Sequence, residues 1–199
     1  MSEPVTLPLE AEGLTPAMSP AEIRLLREAA SRAASAVEFG AGGSTPLLLD
    51  AIEGPLVSVE SDPAWLARLG EEPACRAARE SGRWLPMHAD LGPVGAWGYP
   101  ADPRRHADGH LYWNAPWKAC AEPGFVLVDG RFRVACALAA LARVAPGGFV
   151  AVHDFWGRSA YRVLLEHAEL AATAASLVLL QRRPGVPAPP PEMFGRDPR

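Results

Sequence analysis

Lysine is nearly missing from this chain: Lys118 stands alone among 19 basic residues, so arginine carries almost all of the positive charge. There is no run of Lys or Arg and the formal net charge is −4, which excludes the basic footprint of a nucleic-acid surface. Cysteine is scarce as well. Cys75, Cys120 and Cys136 are odd in number and lack C-x-x-C spacing, so neither a disulfide framework nor a zinc site is expected, and reduced thiols in a cytoplasm fit them. No apolar run reaches the length of a bilayer span, and no basic stretch leads into an apolar one at the N-terminus. A soluble, cytoplasmic protein without membrane contact is the expectation. What the chain has in quantity is apolar residues, 49% of 199, enough for one α/β domain with a sizeable core and too few for two comfortable ones.

The stretch that organises the rest is Val37-Glu38-Phe39-Gly40-Ala41-Gly42-Gly43-Ser44-Thr45, followed by Pro46 and an apolar run. Small and apolar residues before it predict a buried strand, and Pro46-Leu47-Leu48-Leu49 predicts a helix start, so the glycines lie on a strand-to-helix turn. Such a turn brings backbone close to a ligand, and the free N–H groups of the following helix favour an anionic group. A loop that merely packs a helix on a strand would have the same composition. A dinucleotide fingerprint would want glycine where Thr45 stands, which weakens a nicotinamide-dependent oxidoreductase reading, and no Tyr-x-x-x-Lys pair surrounds the only lysine.

Residues 1–18 read as an arm, and Ser19-Pro20-Ala21-Glu22 as a capping box opening a helix to about Ser31. Leu56–Glu60 is a second buried strand ending in an acid about twenty residues past the turn, where a carboxylate accepts both ribose hydroxyls in nucleotide-binding α/β folds. Asp62-Pro63 is a helix cap, with no chemical role. A third strand runs from Arg83 to His88; Asp90 beyond it suits either a ligand contact or a turn before Gly92-Pro93, and His88 reads as structural.

Residues 91–124 interleave Trp97, Tyr99, Tyr112, Trp113 and Trp117 with glycines and prolines, too long a segment for an ordinary connection. It is expected to form a substrate-shaping lid in which Trp97, Tyr112 and Trp113 meet the acceptor; a structural flap, or a contact between the copies of a homodimer, is the other use. Phe125–Val128 is a strand ending at Asp129-Gly130, followed by Arg131 and Arg133, which suit a substrate carboxylate or phosphate, or plain solvent. A helix over Val134–Val144, a fifth strand over Phe149–Phe155 carrying His153 and Asp154, a helix over Ser159–His167, strands at Leu170–Thr173 and Ser176–Gln181, and a Pro-rich tail over 184–199 complete the chain.

In this order, Glu38-x-Gly40-x-Gly42-x-Ser44, Glu60, Asp90, Val128-Asp129 and the Pro146-Gly147-Gly148 turn resemble the class I S-adenosylmethionine-dependent methyltransferases from Ser19 to about residue 183. The resemblance implies an α/β, Rossmann-like methyltransferase fold: a mostly parallel seven-stranded sheet with helices on both faces. It implies S-adenosyl-L-methionine as cofactor, with contacts at Glu38, Gly40, Ala41, Gly42, Ser44, Thr45, Glu60, Ser61, Asp90, Leu91 and Asp129, and a small-molecule acceptor. Asp129-Gly130 and His153-Asp154-Phe155 are similar to branches that methylate oxygen, in which Asp129 and Asp154 would hold a divalent metal. Without a metal, Asp129, His153 or Asp154 would be the general base. The aromatic segment joined to Val-Asp-Gly-Arg-Phe-Arg also looks like a bacterial group of methyltransferase-like proteins. A non-catalytic protein that binds an adenosyl ligand on this fold is the alternative.

Overall fold

The computed structural model describes residues 14–199, so most of the arm expected over residues 1–18 lies outside the described residues. The capping box forms as expected: helix α1 (Pro20–Ala30) starts with Ser19 Oγ accepting from Glu22 N, while Glu22 Oε2 accepts from Ser19 N at 2.7 Å. Strand β1 (Ala36–Phe39) leads through the glycine turn into α2 (Ser44–Ala51), and then come β2 (Leu56–Glu60), α3 (Pro63–Glu71), α4 (Pro73–Glu80) and β3 (Trp84–His88). Helix α4 was not expected from the sequence. Pro73 at its first turn is the one signal for it, since its Ala- and Arg-rich stretch buries only Cys75 and Ala78.

The aromatic segment is ordered. It contains 3-10 turns at Ala96–Gly98, Pro103–Gly109 and Ala115–Lys118 around a short helix α5 (His110–Trp113). Strand β4 (Phe125–Val128), α6 (Arg133–Leu141) and β5 (Phe149–Val152) follow, then a 3-10 turn at Ser159–Val163, α7 (Leu164–His167) and a hairpin of β6 (Ala168–Ala174) and β7 (Leu177–Arg182). The fifth strand stops at Val152, so His153, Asp154 and Phe155 lie beyond the sheet rather than in it. The last helix divides into its 3-10 turn and one α-helical turn.

The seven strands lie in the order β3-β2-β1-β4-β5-β7-β6. The sheet is mixed: β7 runs antiparallel to both of its neighbours, β5 and β6, and the other pairings are parallel. Chain direction across the sheet reverses between β1 and β4. Ligands of open α/β sheets bind at such a switch point, outside the carboxyl ends of the strands.

Alternate side chains of the strands feed two apolar layers. Val37, Phe39, Val126, Val128, Val150 and Val152 pack under α6 and the aromatic segment, whereas Ala36, Leu56, Phe125 and Leu127 pack under α1, α2 and α4. Each of these strand residues is at most 1% exposed, and full burial of such a side chain contributes about 1.5–3 kcal/mol. Among the described residues no helix is long and apolar enough to cross a membrane.

Candidate functional site

The site is assembled at the carboxyl ends of β1, β2, β4 and β5. At the end of β1, Gly40 adopts φ 91° and its Cα packs on the backbone of Asp129-Gly130, where any side chain would collide. That contact brings the first and fourth strand ends together. Tyr112 closes over it from the aromatic segment, wholly buried, with its hydroxyl against Gly130 and donating to Val59 O at 3.3 Å.

Glu38 does not face the crevice. It is fully buried beneath the turn, and its carboxylate accepts from Ser44 Oγ at 2.6 Å, Thr45 Oγ1 at 2.8 Å and Ser58 Oγ at 2.7 Å. Thr45 Oγ1 in turn accepts from Gly42 N at 3.0 Å. Glu38, Ser44 and Thr45 therefore fix the shape of the turn from inside the protein. Burial pushes the Glu38 carboxyl up to about 7 despite the three hydroxyls that favour its ionised form. The place that a dinucleotide fingerprint gives to glycine is thus filled by a buried, doubly bonded threonine. Ala41, also buried, accepts from Trp65 Nε1 at 2.7 Å, a contact that the sequence reading missed.

Glu60 ends β2 beside this turn and is 7% exposed. Its Oε1 accepts from Ser61 N at 2.7 Å, Ser61 Oγ at 3.1 Å and Asp62 N at 2.9 Å, and its Oε2 has no donor among the described residues. Burial raises the pKa of this carboxyl against the pull of those N–H groups. Over it lies the lid: Ser61 Oγ donates to Gly98 O at 2.8 Å, and a Cβ on Gly98 would stand 2.6 Å from Ser61 Oγ and 2.8 Å from Glu60 Oε1. Gly98 also has φ 67°, so both space and backbone call for glycine there. Trp97, with φ 59° and 83% exposed, projects away from the body instead of into the crevice. Asp90 caps its own turn, accepting from Gly92 N at 2.8 Å, while Leu91 is buried in the core below. The turn use of Asp90 is the one that its geometry displays.

The β4–β5 end holds charge. Arg133, 4% exposed at the first turn of α6, reaches Asp129 Oδ1 at 3.0 Å and Asp154 Oδ2 at 3.2 Å and donates to Gly130 O and His153 O. His153 Nδ1 is 3.0 Å from Asp129 Oδ1, and its Nε2 is 3.5 Å from Glu22 Oε1. Burial disfavours the imidazolium, but Asp129, Asp154 and Glu22 outweigh it and raise the pKa of His153. Asp154 sits in the left-handed region at φ 57°, and Arg158 meets its Oδ2 at 3.2 Å.

The ligand atoms of Asp129, His153 and Asp154 lie within 4.8 Å of one another, as a metal site would require. They do not fit a divalent ion in this arrangement, because a buried guanidinium already supplies the positive charge between the two carboxylates. Asp129 Oδ1 is spent on Arg133 and His153, and a raised imidazole pKa opposes ligation, which needs the neutral ring. For the same reasons Arg133 is not free to take a substrate anion.

Arg131 differs. It is 8% exposed, and its guanidinium has neither a hydrogen bond nor an ion pair among the described residues. It faces the ring of Tyr99 at 5.5 Å. Tyr161, 2% exposed, keeps a buried hydroxyl without a partner, and the indole nitrogen of Trp113 is in the same condition. Tyr161 and Arg158 had no motif around them and were not foreseen. The segment after β7 folds back here: Phe132 N donates to Pro198 O at 3.1 Å, Arg133 N to Arg199 O at 3.3 Å, and Gly195 stacks on the ring of Trp113.

No family model matches the chain, and no curated protein matches it. Solved structures do. A methyltransferase-like protein from Silicibacter pomeroyi is 28% identical, with a TM-score of 0.75 over 93% of this chain and 98% of that one. An O-methyltransferase from Bacillus cereus in complex with SAH superposes with a TM-score of 0.56 at 15% identity, over 84% of each chain. A methyltransferase from Geobacter sulfurreducens gives 0.55 at 13% identity, over 84% of this chain and 82% of that one. At such identities the last two establish likeness of fold.

Proposed function

We propose that this chain, built on the fold of the class I S-adenosylmethionine-dependent methyltransferases, moves the sulfonium methyl of that cofactor onto a hydroxyl oxygen of a small molecule. The observation that carries the proposal is the pairing, at the switch point of the sheet, of the Gly40–Gly42 turn with Glu60 on the neighbouring strand end, one carboxylate oxygen still without a donor. That oxygen suits ribose hydroxyls. The backbone at Ala41–Gly42 suits the amino-acid end of the cofactor, and Asp129, whose Oδ2 has no donor among the described residues, suits its ammonium or the acceptor proton. The SAH complex of the Bacillus O-methyltransferase supports the choice of cofactor and of oxygen as the atom methylated.

Methyl transfer needs alignment more than activation. When bound, S-adenosylmethionine would supply an activated methyl group for in-line displacement by the acceptor oxygen, and Asp129 would take up the hydroxyl proton. His153 suits that role less well, because its neighbours favour its charged form, in which the ring already holds the proton. Arg133 holds Asp129 in place, so no metal is needed for that alignment. Entry of an adenosyl group to Glu60 requires the Ala96–Gly98 turn to lift from it, which makes residues 91–124 a lid over the cofactor as well as a wall for the acceptor.

Calorimetric titration with S-adenosylmethionine, S-adenosylhomocysteine and a nicotinamide cofactor tests the proposal. Saturable binding of the first two alone is expected, weakened roughly tenfold to a hundredfold in Glu60→Ala by loss of a charge-assisted contact. Undiminished affinity in that variant would remove Glu60 from the site, and no binding by the wild type would overturn the reading. Mass detection of a methyl gain across a panel of hydroxylated acceptors separates an enzyme from a binder.

A further inference from the structure

Of three guanidiniums at the β4–β5 end, two share its two carboxylates. Arg133 takes both Asp129 and Asp154, Arg158 takes Asp154, and Arg131 reaches neither. After burial, the groups that weigh most on Arg131 are Arg133, Tyr112, Tyr161 and Arg158, and no carboxylate forms an ion pair with it among the described residues. A buried guanidinium without a partner is expensive, and natural structures keep few such groups unless something outside the chain satisfies them.

Its neighbours share the shortage. The Tyr161 hydroxyl is buried and unbonded among the described residues, and it lies near enough to Arg133, Arg158 and Arg131 for their charges to lower its pKa against the rise due to burial. Arg158 stacks on the same ring at 5.5 Å. Tyr99 from the lid forms the far wall, facing Arg131, and Pro198 and Arg199 hold the segment after β7 along the start of α6. Phe132, between Arg131 and Arg133, is in the left-handed region at φ 53°, an unfavourable conformation for a bulky residue and one that concentrates at ligand sites.

We propose that the acceptor carries a carboxylate or phosphate group, seated on the guanidinium of Arg131 with the Tyr161 hydroxyl as a second donor. The proposal rests on the methyltransferase reading for the word acceptor, while the anion seat itself stands on the orphaned donors. Arginine's planar fork matches both oxyanions, and the Tyr99 face on one side of it favours a flat molecule. Arg131 is then a substrate-binding residue, anchoring the end of the acceptor away from the methylated oxygen.

The test uses benzoate and inorganic phosphate as probes, at constant ionic strength against chloride, with thermal shift of the full chain as the readout. Saturable protection by at least one probe is expected in the wild type and in Arg104→Gln, an exposed arginine elsewhere on the lid. Affinity should fall roughly tenfold or more in Arg131→Gln and by a smaller factor in Tyr161→Phe, which keeps the ring. Protection that is equal in the wild type and Arg131→Gln, or absent in the wild type, overturns the anion seat. If Arg131→Gln does not fold, Tyr161→Phe decides, and an unchanged affinity there counts against the seat. Titration of the same variants with S-adenosylmethionine keeps the two readings apart: full cofactor binding without an anion effect sinks this inference alone.

Discussion

The two ends of the crevice treat their polar groups in opposite ways. At the β1–β2 end, Glu38 satisfies three hydroxyls, Thr45 satisfies Gly42, Trp65 satisfies Ala41, and Glu60 Oε1 takes three donors. At the β4–β5 end, Arg131, Tyr161 and Trp113 bury donors that meet no acceptor among the described residues. Each such donor costs about 1–3 kcal/mol, and the second end keeps unpaired donors where the first leaves an acceptor open, Glu60 Oε2. A ligand common to a whole fold can be met by backbone and shape, with side chains used to stiffen that backbone. A ligand particular to one protein must be met by side chains kept in reserve.

The largest effect expected from this contrast concerns pH. The Glu38 carboxyl stands at about 7 in the folded protein against an ordinary 4.5, so the folded state holds that proton more tightly than the unfolded chain. Its contribution is intact below about pH 4.5 and is lost as pH rises through 7, a slope worth roughly 3 kcal/mol over that window. His153, with its pKa also raised, adds a slope of the same sign above pH 6.5. Urea unfolding of the wild type and Glu38→Gln at pH 5 and pH 8 isolates the first, because the variant should lose most of the difference and keep the histidine part. Equal pH dependence in the two proteins would mean that the turn is not stiffened by a strained, buried acid.

Much of the β1–β2 end was legible because its signals are local. The Ser19–Glu22 box, the glycines before Pro46 and the Asp62-Pro63 cap each lie within a few residues of what they control; a helix starts at each, and the first ends within a residue of expectation. What was hidden is long-range. Nothing in a capping glutamate announces that Glu22 Oε1 also accepts from Ser176 N, Ser176 Oγ and Leu177 N, or that it stands beside His153; its burial is outweighed by the bonds from Ser19 and Ser176, which lower its pKa to about 2. Glu38 matched a motif, yet only the fold reveals that its carboxylate points into the protein. Arg131 and Arg133 look interchangeable in the chain. One left-handed residue between them leaves the first unpaired and the second bound to two carboxylates.

Arg133→Met tests the other end with a smaller effect. Removing the guanidinium leaves Asp129 and Asp154 close to each other without a cation, and loss of one partner of a buried pair costs about 3–5 kcal/mol. Since the two aspartates are 25% and 43% exposed, water recovers part of this, and about 2 kcal/mol is expected from urea unfolding. The same variant sharpens the account of the metal. With the arginine gone, the Asp129–His153–Asp154 group should gain protection from millimolar manganese or magnesium that the wild type lacks. Equal protection of both proteins would show that Arg133 never excluded an ion.

The smallest effect separates shape from recognition within the cofactor end itself. Asp62 lies two residues from Glu60, and its Oδ1 accepts from Ala64 N at 2.9 Å and Trp65 N at 3.2 Å, as the cap of α3. Asp62→Ala should therefore cost about 1 kcal/mol of stability, seen as a lower melting temperature. Its affinity for S-adenosylmethionine should stay within about twofold of wild type, because the backbone N–H that Asp62 gives to Glu60 Oε1 survives the substitution. Were its affinity to fall as far as that of Glu60→Ala, the two acids would be acting alike, through the position of α3 and Trp65 over the turn. The ribose contact would then have no claim on Glu60 in particular.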